Sequence, residues 1–223
     1  GTLRELVTHP ELAAPTPEIL GLLRDLAELP ATDVRLVSGR DRDSLERWFG
    51  DLPVYLCAEH GYVTREPGGD WEQLVDVDLT WLPRFEKLLR EVAAEVPGTL
   101  VERKACSVTW HYRQAEPEYG SWRARELLVA IEQLLPGVPA EILAGHRVIE
   151  VRASGVSKGR YVTSLFPNGR ERGHAVLAIG DDRTDQEMYA ALPDGSVSVH
   201  VGTRRPTGPA RHQHLIPEPA DAR

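Results

Sequence analysis

The sequence is poor in sulfur and in aromatic residues, and it has no excess of positive charge. Its 223 residues include two cysteines and one methionine, and the net charge at pH 7 is −8. Cys57 and Cys106 form no spaced motif, which excludes a disulfide scaffold and indicates a reducing compartment, so we expect a cytoplasmic protein. The acidic balance excludes a broad nucleic-acid surface. No apolar run approaches the roughly 18 residues of a membrane span, so we expect no membrane partner.

The alternation of strand and helix patterns predicts the fold class. Short apolar strands, VRLVSG (34–39), PVYLCAEHG (53–61) and HAVLAIG (174–180), are separated by helical patterns. This predicts an α/β protein with a Rossmann-like, mainly parallel sheet and helices on both faces. Residues 76–151 instead show the pattern helix, two strands, helix, two strands. We therefore expect a core domain of residues 1–75 and 152–223, interrupted by an inserted α+β cap at 76–151.

Three aspartates, Asp181, Asp182 and Asp185, follow the strand HAVLAIG directly. In open α/β sheets, ligands bind at the carboxyl ends of the strands, and helices that begin there favour an anion such as phosphate. Clustered carboxylates beside an anion need a cation between them, and hard oxygen ligands favour Mg²⁺. The alternative interpretation is that each aspartate only caps a helix.

GVSKG (155–159) has two interpretations. It matches the G-x-S-x-G nucleophile elbow, which would make Ser157 the nucleophile of an acyl hydrolase. The elbow needs its serine at the tip of a strand in a long parallel sheet, whereas the preceding strand here belongs to the cap. Ser157 is therefore better interpreted as a helix N-cap. Lys158 would then lie in the first helical turn, where it opposes the helix dipole, and this indicates an anionic partner. A solvated surface lysine is the alternative.

The cap segment VERKACSVTWHYR (101–113) places alternating polar groups on its strands. Carboxylates and amines bind sugar hydroxyls well, and lysine or arginine can reach a phosphate. The alternative is an ordinary exposed sheet face with surface ion pairs.

Together these motifs resemble the haloacid-dehalogenase-like phosphatases, and within them the trehalose-6-phosphate phosphatase family. The resemblance spans nearly the whole chain and rests on VSGRDRDSLERWF (37–49), AEHG (58–61), ERKACSVTWHYR (102–113), EVRASGVSKG (150–159) and GDDRTDQEMY (180–189). It implies a Mg²⁺-dependent enzyme that hydrolyses trehalose 6-phosphate to trehalose and phosphate. Two alternatives stay open: a phosphatase for another sugar phosphate, and a non-catalytic module that binds a sugar phosphate or a synthase partner.

The resemblance also implies roles for individual residues. Catalytic roles fall on Thr2, Ser38, Gly39, Lys158, Asp182 and Asp185. Asp181 and Asp185 are implied as Mg²⁺ ligands. The implied substrate-binding residues are Arg40, Glu102, Lys104, Arg113 and Glu150.

The start of the sequence departs from the family pattern. The family's first motif is Asp-x-Asp-Gly-Thr at the tip of the central strand, where the first aspartate attacks phosphorus and the second is the general acid/base. This sequence begins at Gly1 and Thr2 of that motif. We therefore expect the nucleophile just upstream of Gly1, and we expect the 223-residue chain alone to be inactive. The resemblance extends to fused enzymes, so a trehalose-phosphate synthase domain is an expected partner.

Overall fold

The computed structural model describes residues 2–4, 13–145, 147–167, 175–202 and 213–222. The chain divides into two compact units. The core unit consists of Gly1–Leu74 and Ser157–Arg223, and the inserted unit is Val75–Val156. Helices and strands alternate in the core unit, so the expected α/β class is confirmed.

The described residues form six α-helices and eleven strands, with two short 3₁₀ turns at Glu59–Gly61 and Pro219–Ala222. In chain order the elements are α1 (Pro17–Ala27), β1 (Arg35–Val37), α2 (Arg42–Phe49), β2 (Tyr55–Ala58), β3 (Val63–Arg65), β4 (Trp71–Gln73), α3 (Leu82–Glu95), β5 (Leu100–Arg103), β6 (Ser107–His111), α4 (Pro117–Leu134), β7 (Ala140–Gly145), β8 (Val148–Ala153), α5 (Lys158–Leu165), β9 (Leu177–Gly180), α6 (Arg183–Ala190), β10 (Val197–Val201) and β11 (Gln213–Ile216).

The strands of the core unit form two sheets, where the sequence predicted one. The first has the order β1-β2-β3-β4, with β1 and β2 parallel and the other neighbours antiparallel. The second has the order β11-β10-β9 and is parallel throughout. Within the described residues, β1 pairs only with β2 and β9 only with β10. The core sheet is in two parts because no described strand bridges β1 and β9.

Caps and apolar faces explain why the core helices form where they do. Thr16 and Asp41 cap α1 and α2, and the Asp41 carboxylate accepts a hydrogen bond from the Ser44 backbone N–H at 2.8 Å. One cluster of apolar side chains packs these helices on the first sheet: Ile19, Leu23, Leu45, Leu52, Val54, Leu56 and Ala58. A second cluster packs α5 and α6 with β2 and β9: Cys57, Tyr161, Val162, Ala178, Met188 and Tyr189. This packing fixes the loops that follow β1 and β9.

The inserted unit is one antiparallel sheet with two helices. The strand order is β5-β6-β8-β7, and α3 packs on β5 and β6. Its fully buried side chains include Phe85, Leu89, Trp110, Ile131 and Val151. Each helix among the described residues is too short or too polar to traverse a lipid bilayer.

Candidate active site

The loop after β1 forms a compact turn between strand and helix. The Ser38 backbone N–H donates to the Cys57 carbonyl at 2.9 Å, which extends the pairing of β1 with β2 by one residue. The Ser38 hydroxyl accepts a hydrogen bond from the Arg40 backbone N–H at 3.2 Å. The Arg40 guanidinium lies over the Trp48 ring, 4.6 Å from its centroid. Because α2 begins just beyond, this loop places the Ser38 hydroxyl near the positive end of a helix.

Lys158 is buried in the first turn of α5 and forms an ion pair with Asp185. Its Nζ donates to Asp185 Oδ1 at 2.7 Å, and the side chains are 8% and 4% exposed. Burial opposes the charge on Lys158, but the carboxylates of Asp185, Asp182 and Asp181 outweigh it and raise the pKa of Lys158 above its usual range. Lys158 is therefore a fixed cation, and the alternative of a solvated surface lysine is excluded.

Asp182 and Asp185 form a capping box at the start of α6. Asp182 Oδ1 accepts from the backbone N–H groups of Thr184 and Asp185, at 2.8 and 3.1 Å, and from the Thr184 hydroxyl at 2.7 Å. Burial opposes ionisation of Asp182, but Lys158 and these hydrogen bonds lower its pKa. The capping interpretation is thus confirmed for Asp182, whose carboxylate accepts hydrogen bonds from the first turn of α6.

Asp185 has both carboxylate oxygens occupied. Oδ1 accepts from Lys158, and Oδ2 accepts from the backbone N–H groups of Asp181 and Asp182 at 2.8 and 3.0 Å. Asp181 accepts a hydrogen bond from the Thr2 hydroxyl at 2.7 Å on Oδ1. The structure therefore brings Thr2, Lys158 and the three aspartates together at the carboxyl end of β9.

The donor set at this end of β9 suits a hard divalent cation. Three carboxylates face a single ammonium, so the group has surplus negative charge. Within the described part of the chain, no three acidic, histidine or cysteine side chains converge closely enough to chelate an ion by themselves. Mg²⁺ fits such a site, because it binds through one or two carboxylates and fills its remaining positions with water and phosphate oxygens.

A second polar cluster lies on the sheet of the inserted unit. Glu102 and Glu150 both pair with Thr109 across neighbouring strands, which places the two carboxylates in one row. Lys104 Nζ lies 4.0 Å from Glu102 Oε1 and 3.8 Å from Glu150 Oε1. Arg113 follows β6 and is partly buried, and its carbonyl accepts from Arg147. The cluster offers carboxylate and ammonium groups to hydroxyl-bearing ligands.

Ser107 and His111, neither of which was among the implied substrate-binding residues, hold these carboxylates. The Ser107 hydroxyl donates to Glu150 Oε1 at 2.6 Å, and His111 Nε2 lies 2.8 Å from Glu102 Oε2. Burial opposes ionisation of Glu102, but His111 and Lys104 together lower its pKa. The signal for both was the alternation in SVTWH, in which every second residue lies on the same face of β6.

Ser157 is a helix cap. Its hydroxyl accepts from the Arg160 backbone N–H at 3.0 Å, and its extended backbone leads into α5. This geometry is that of an N-cap, which favours the interpretation preferred from the sequence over an acyl-hydrolase nucleophile.

Comparison with known proteins identifies the family. The trehalose-phosphatase family model matches residues 1–214. The chain is 39% identical over 202 residues to a bifunctional trehalose-6-phosphate synthase/phosphatase of Thermoproteus tenax, covering 91% of this chain and 27% of that protein. It is 34% identical over 198 residues to a trehalose-phosphatase of Schizosaccharomyces pombe, covering 86% and 24%. The chain thus spans about a quarter of the length of these relatives.

A solved structure agrees with the sequence comparisons. The C-terminal domain of Candida albicans trehalose-6-phosphate phosphatase superposes with a TM-score of 0.88 at 28% identity, covering 100% of this chain and 86% of that one. The motifs, the sheet and the acidic site agree with these comparisons. The chain belongs to the trehalose-phosphatase family and has a haloacid-dehalogenase-like α/β fold.

Proposed function

We propose that the chain is the phosphatase domain of a Mg²⁺-dependent enzyme that hydrolyses trehalose 6-phosphate to trehalose and phosphate. The observation that carries this proposal is the buried Lys158–Asp185 ion pair beside Asp181 at the carboxyl end of β9. A fixed cation next to surplus carboxylate charge suits phosphoryl transfer, in which positioning and charge stabilisation supply most of the catalysis. Family membership and the names of the relatives support the substrate.

Each core residue has a role in this proposal. The Ser38 hydroxyl and the Gly39 backbone N–H bind phosphoryl oxygens, and Lys158 stabilises negative charge on the phosphoryl group. Asp181 and Asp185 would hold Mg²⁺, which supplies charge neutralisation at the phosphate when bound. Since both oxygens of Asp185 accept hydrogen bonds from the protein, its larger role is to orient Lys158 and the loop that bears Asp181.

The nucleophile is proposed to be an aspartate just upstream of Gly1. Its carboxylate attacks phosphorus, the bond from phosphorus to the sugar oxygen breaks, and a second carboxylic acid protonates the leaving trehalose. Water then hydrolyses the aspartyl-phosphate and releases phosphate.

A groove in the core unit supports this placement of the nucleophile. It has a volume of about 580 Å³ and is lined by the strand edges that have no partner among the described residues, with Arg35 and Val37 from β1 and Ala178 and Ile179 from β9. Thr2 lines it as well. If the segment that leads into Thr2 lay extended in this groove, it could pair with β1 on one side and β9 on the other. Such a segment would deliver its last side chains beside Asp181.

The inserted unit is proposed to bind the sugar. Glu102, Lys104 and Glu150 form its polar cluster, and Arg113 would contribute a further contact. In the core unit, Arg40 is also proposed as a substrate-binding residue. We further propose that the enzyme acts in the cytoplasm, and that a fused or associated trehalose-phosphate synthase domain is its partner, as in the fused relative.

Phosphate release from trehalose 6-phosphate tests the proposal. The 223-residue chain is assayed beside a version extended upstream through the Asp-x-Asp pair, with and without Mg²⁺. We expect activity only in the extended chain, its loss on chelation, and its loss in Asp181→Asn but not in the exposed control Asp70→Asn. An extended chain that binds the sugar phosphate without releasing phosphate would overturn the proposal in favour of a regulatory module.

The choice of sugar phosphate has its own test. If Glu102→Gln lowers turnover of trehalose 6-phosphate but spares a small phosphate ester, the inserted unit selects the disaccharide. Equal losses on both substrates would favour a phosphatase for another sugar phosphate.

A further inference from the structure

The turn at Glu59–Gly61 has an unusual backbone. Its three residues have φ angles of 47°, 60° and 109°, and the first two are not glycine. Glu59 and His60 are 4% and 8% exposed. Left-handed backbone at successive non-glycine residues costs free energy, and such strain persists only where the surroundings hold it. The turn is buried beside Ser38–Arg40, which we call the phosphate loop, so the contacts between the two must hold the strained backbone.

One side of the turn is hydrogen-bonded to the phosphate loop. The Glu59 backbone N–H donates to the Arg40 carbonyl and the His60 backbone N–H donates to the Ser38 carbonyl, both at 2.8 Å. The His60 ring lies directly against Gly39, since a Cβ at Gly39 would be 2.3 Å from His60 Nε2. No side chain fits at position 39 while the ring stays in place.

The other side of the turn contacts the start of α5. A Cβ at Gly61 would lie 2.9 Å from the Ser157 carbonyl oxygen and 3.2 Å from Tyr161 Cβ. Gly61 thus allows the turn to approach the backbone that immediately precedes Lys158. The turn touches both the loop that bears Ser38 and the helix that bears Lys158.

We propose that His60 is a positioning residue for phosphate. Its ring packs on Gly39, and the strained turn around it sets the distance between the Gly39 N–H and the Lys158 ammonium. This inference rests on the proposed function, because it concerns the same phosphate site, and it assigns a role to a turn that the mechanism leaves unused.

Binding of inorganic phosphate to the 223-residue chain, measured by calorimetry with Mg²⁺ present, tests the inference. His60→Asn removes the ring but keeps a residue that tolerates left-handed backbone. We expect it to weaken phosphate binding about 10-fold, the equivalent of one hydrogen bond to a charged group, in a chain that is still folded at the assay temperature. Ala31→Gly is the matched control: it relaxes another left-handed residue, with φ 55°, and should leave binding unchanged.

A steric pair of variants separates positioning from general structural damage. Gly39→Ala alone should weaken phosphate binding, because its methyl group meets the ring. In a His60→Gly background the methyl group has room, so the same Gly39→Ala change should cost at least several-fold less affinity. Circular dichroism identifies any variant that fails to fold, and the phosphate affinities of the folded variants then test the positioning role of His60.

The outcomes distinguish this inference from the function beneath it. If the unsubstituted chain binds no phosphate, the inference is overturned, whereas the proposed function is decided separately by phosphate release from the extended chain. If the unsubstituted chain binds phosphate and His60→Asn binds it equally well, only the positioning role is overturned. Equal costs of Gly39→Ala in both backgrounds would also overturn it.

Discussion

The buried Lys158–Asp185 pair makes a quantitative prediction about stability. Lys158→Met leaves the Asp185 carboxylate buried without its ammonium, and Asp185→Asn removes the carboxylate that is hydrogen-bonded to the ammonium. The side chains are 8% and 4% exposed and 2.7 Å apart, so each single change should cost about 3–5 kcal/mol of unfolding free energy. The asparagine amide oxygen can still accept from the backbone N–H groups of Asp181 and Asp182, so the lost charge dominates that cost.

The double variant Lys158→Met/Asp185→Asn should be more stable than the sum of the single changes allows, because neither charge is then left unpaired. We expect a coupling energy of about 2 kcal/mol or more, measured by urea unfolding at neutral pH. The exposed Lys87–Glu91 pair, with side chains 79% and 62% exposed, is the control and should couple by only about 0.3–0.5 kcal/mol. Single costs at Lys158 and Asp185 that add within about 0.5 kcal/mol would refute the reasoning.

Three further predictions concern other parts of the chain. Lys104→Ala in the extended, active chain should lower kcat/KM for trehalose 6-phosphate about 10- to 100-fold and spare a small phosphate ester; equal losses would contradict the sugar-binding role. Ser157→Ala should lower the free energy of unfolding by about 1 kcal/mol, because the N-cap is lost, and should leave turnover of trehalose 6-phosphate unchanged. Loss of turnover would favour the acyl-hydrolase interpretation. Burial opposes ionisation of Glu46, but hydrogen bonds from Trp71 and Arg65 lower its pKa below 4.5. The ionised Glu46 side chain therefore stabilises the folded chain above that pH, and this stabilisation is lost as the pH falls through the lowered pKa. Glu46→Gln should therefore flatten the acid limb of the stability curve, and an unchanged limb would contradict this.

The sequence predicted the start of α5, because capping is a local property. Ser157 was recognisable as an N-cap from its residue type and the helical pattern that follows, and the structure has it as an N-cap. The row of Glu102, Thr109 and Glu150 could not be found this way, since it depends on the register between three strands. Spacing along the chain does not fix register when turn lengths vary.

The strained turn at His60 escaped prediction for a related reason. A histidine with φ 60° has no local signature, because its conformation is imposed by the loop at Ser38 and by the approach of Gly61 to Ser157. The motif AEHG marked the segment, but only the packing of a ring on Gly39 shows what it contacts. Tertiary contacts between segments far apart in sequence decide such positions.

Three aspartates that look equivalent in GDDRTD have different roles because their hydrogen bonds differ. Asp182 uses its carboxylate to cap α6, and Asp185 uses both oxygens to hold Lys158 and two backbone N–H groups. The Asp181 carboxylate receives a bond from the Thr2 hydroxyl, a donor that can rotate toward another acceptor at little cost. Asp181 is therefore the carboxylate best able to turn to a cation. The neighbouring aspartates serve it indirectly, since Asp185 fixes the Asp181 backbone and Asp182 fixes Asp185. Substituting Asp182 should then disturb the site through geometry, whereas substituting Asp181 should remove a carboxylate from the proposed Mg²⁺ site.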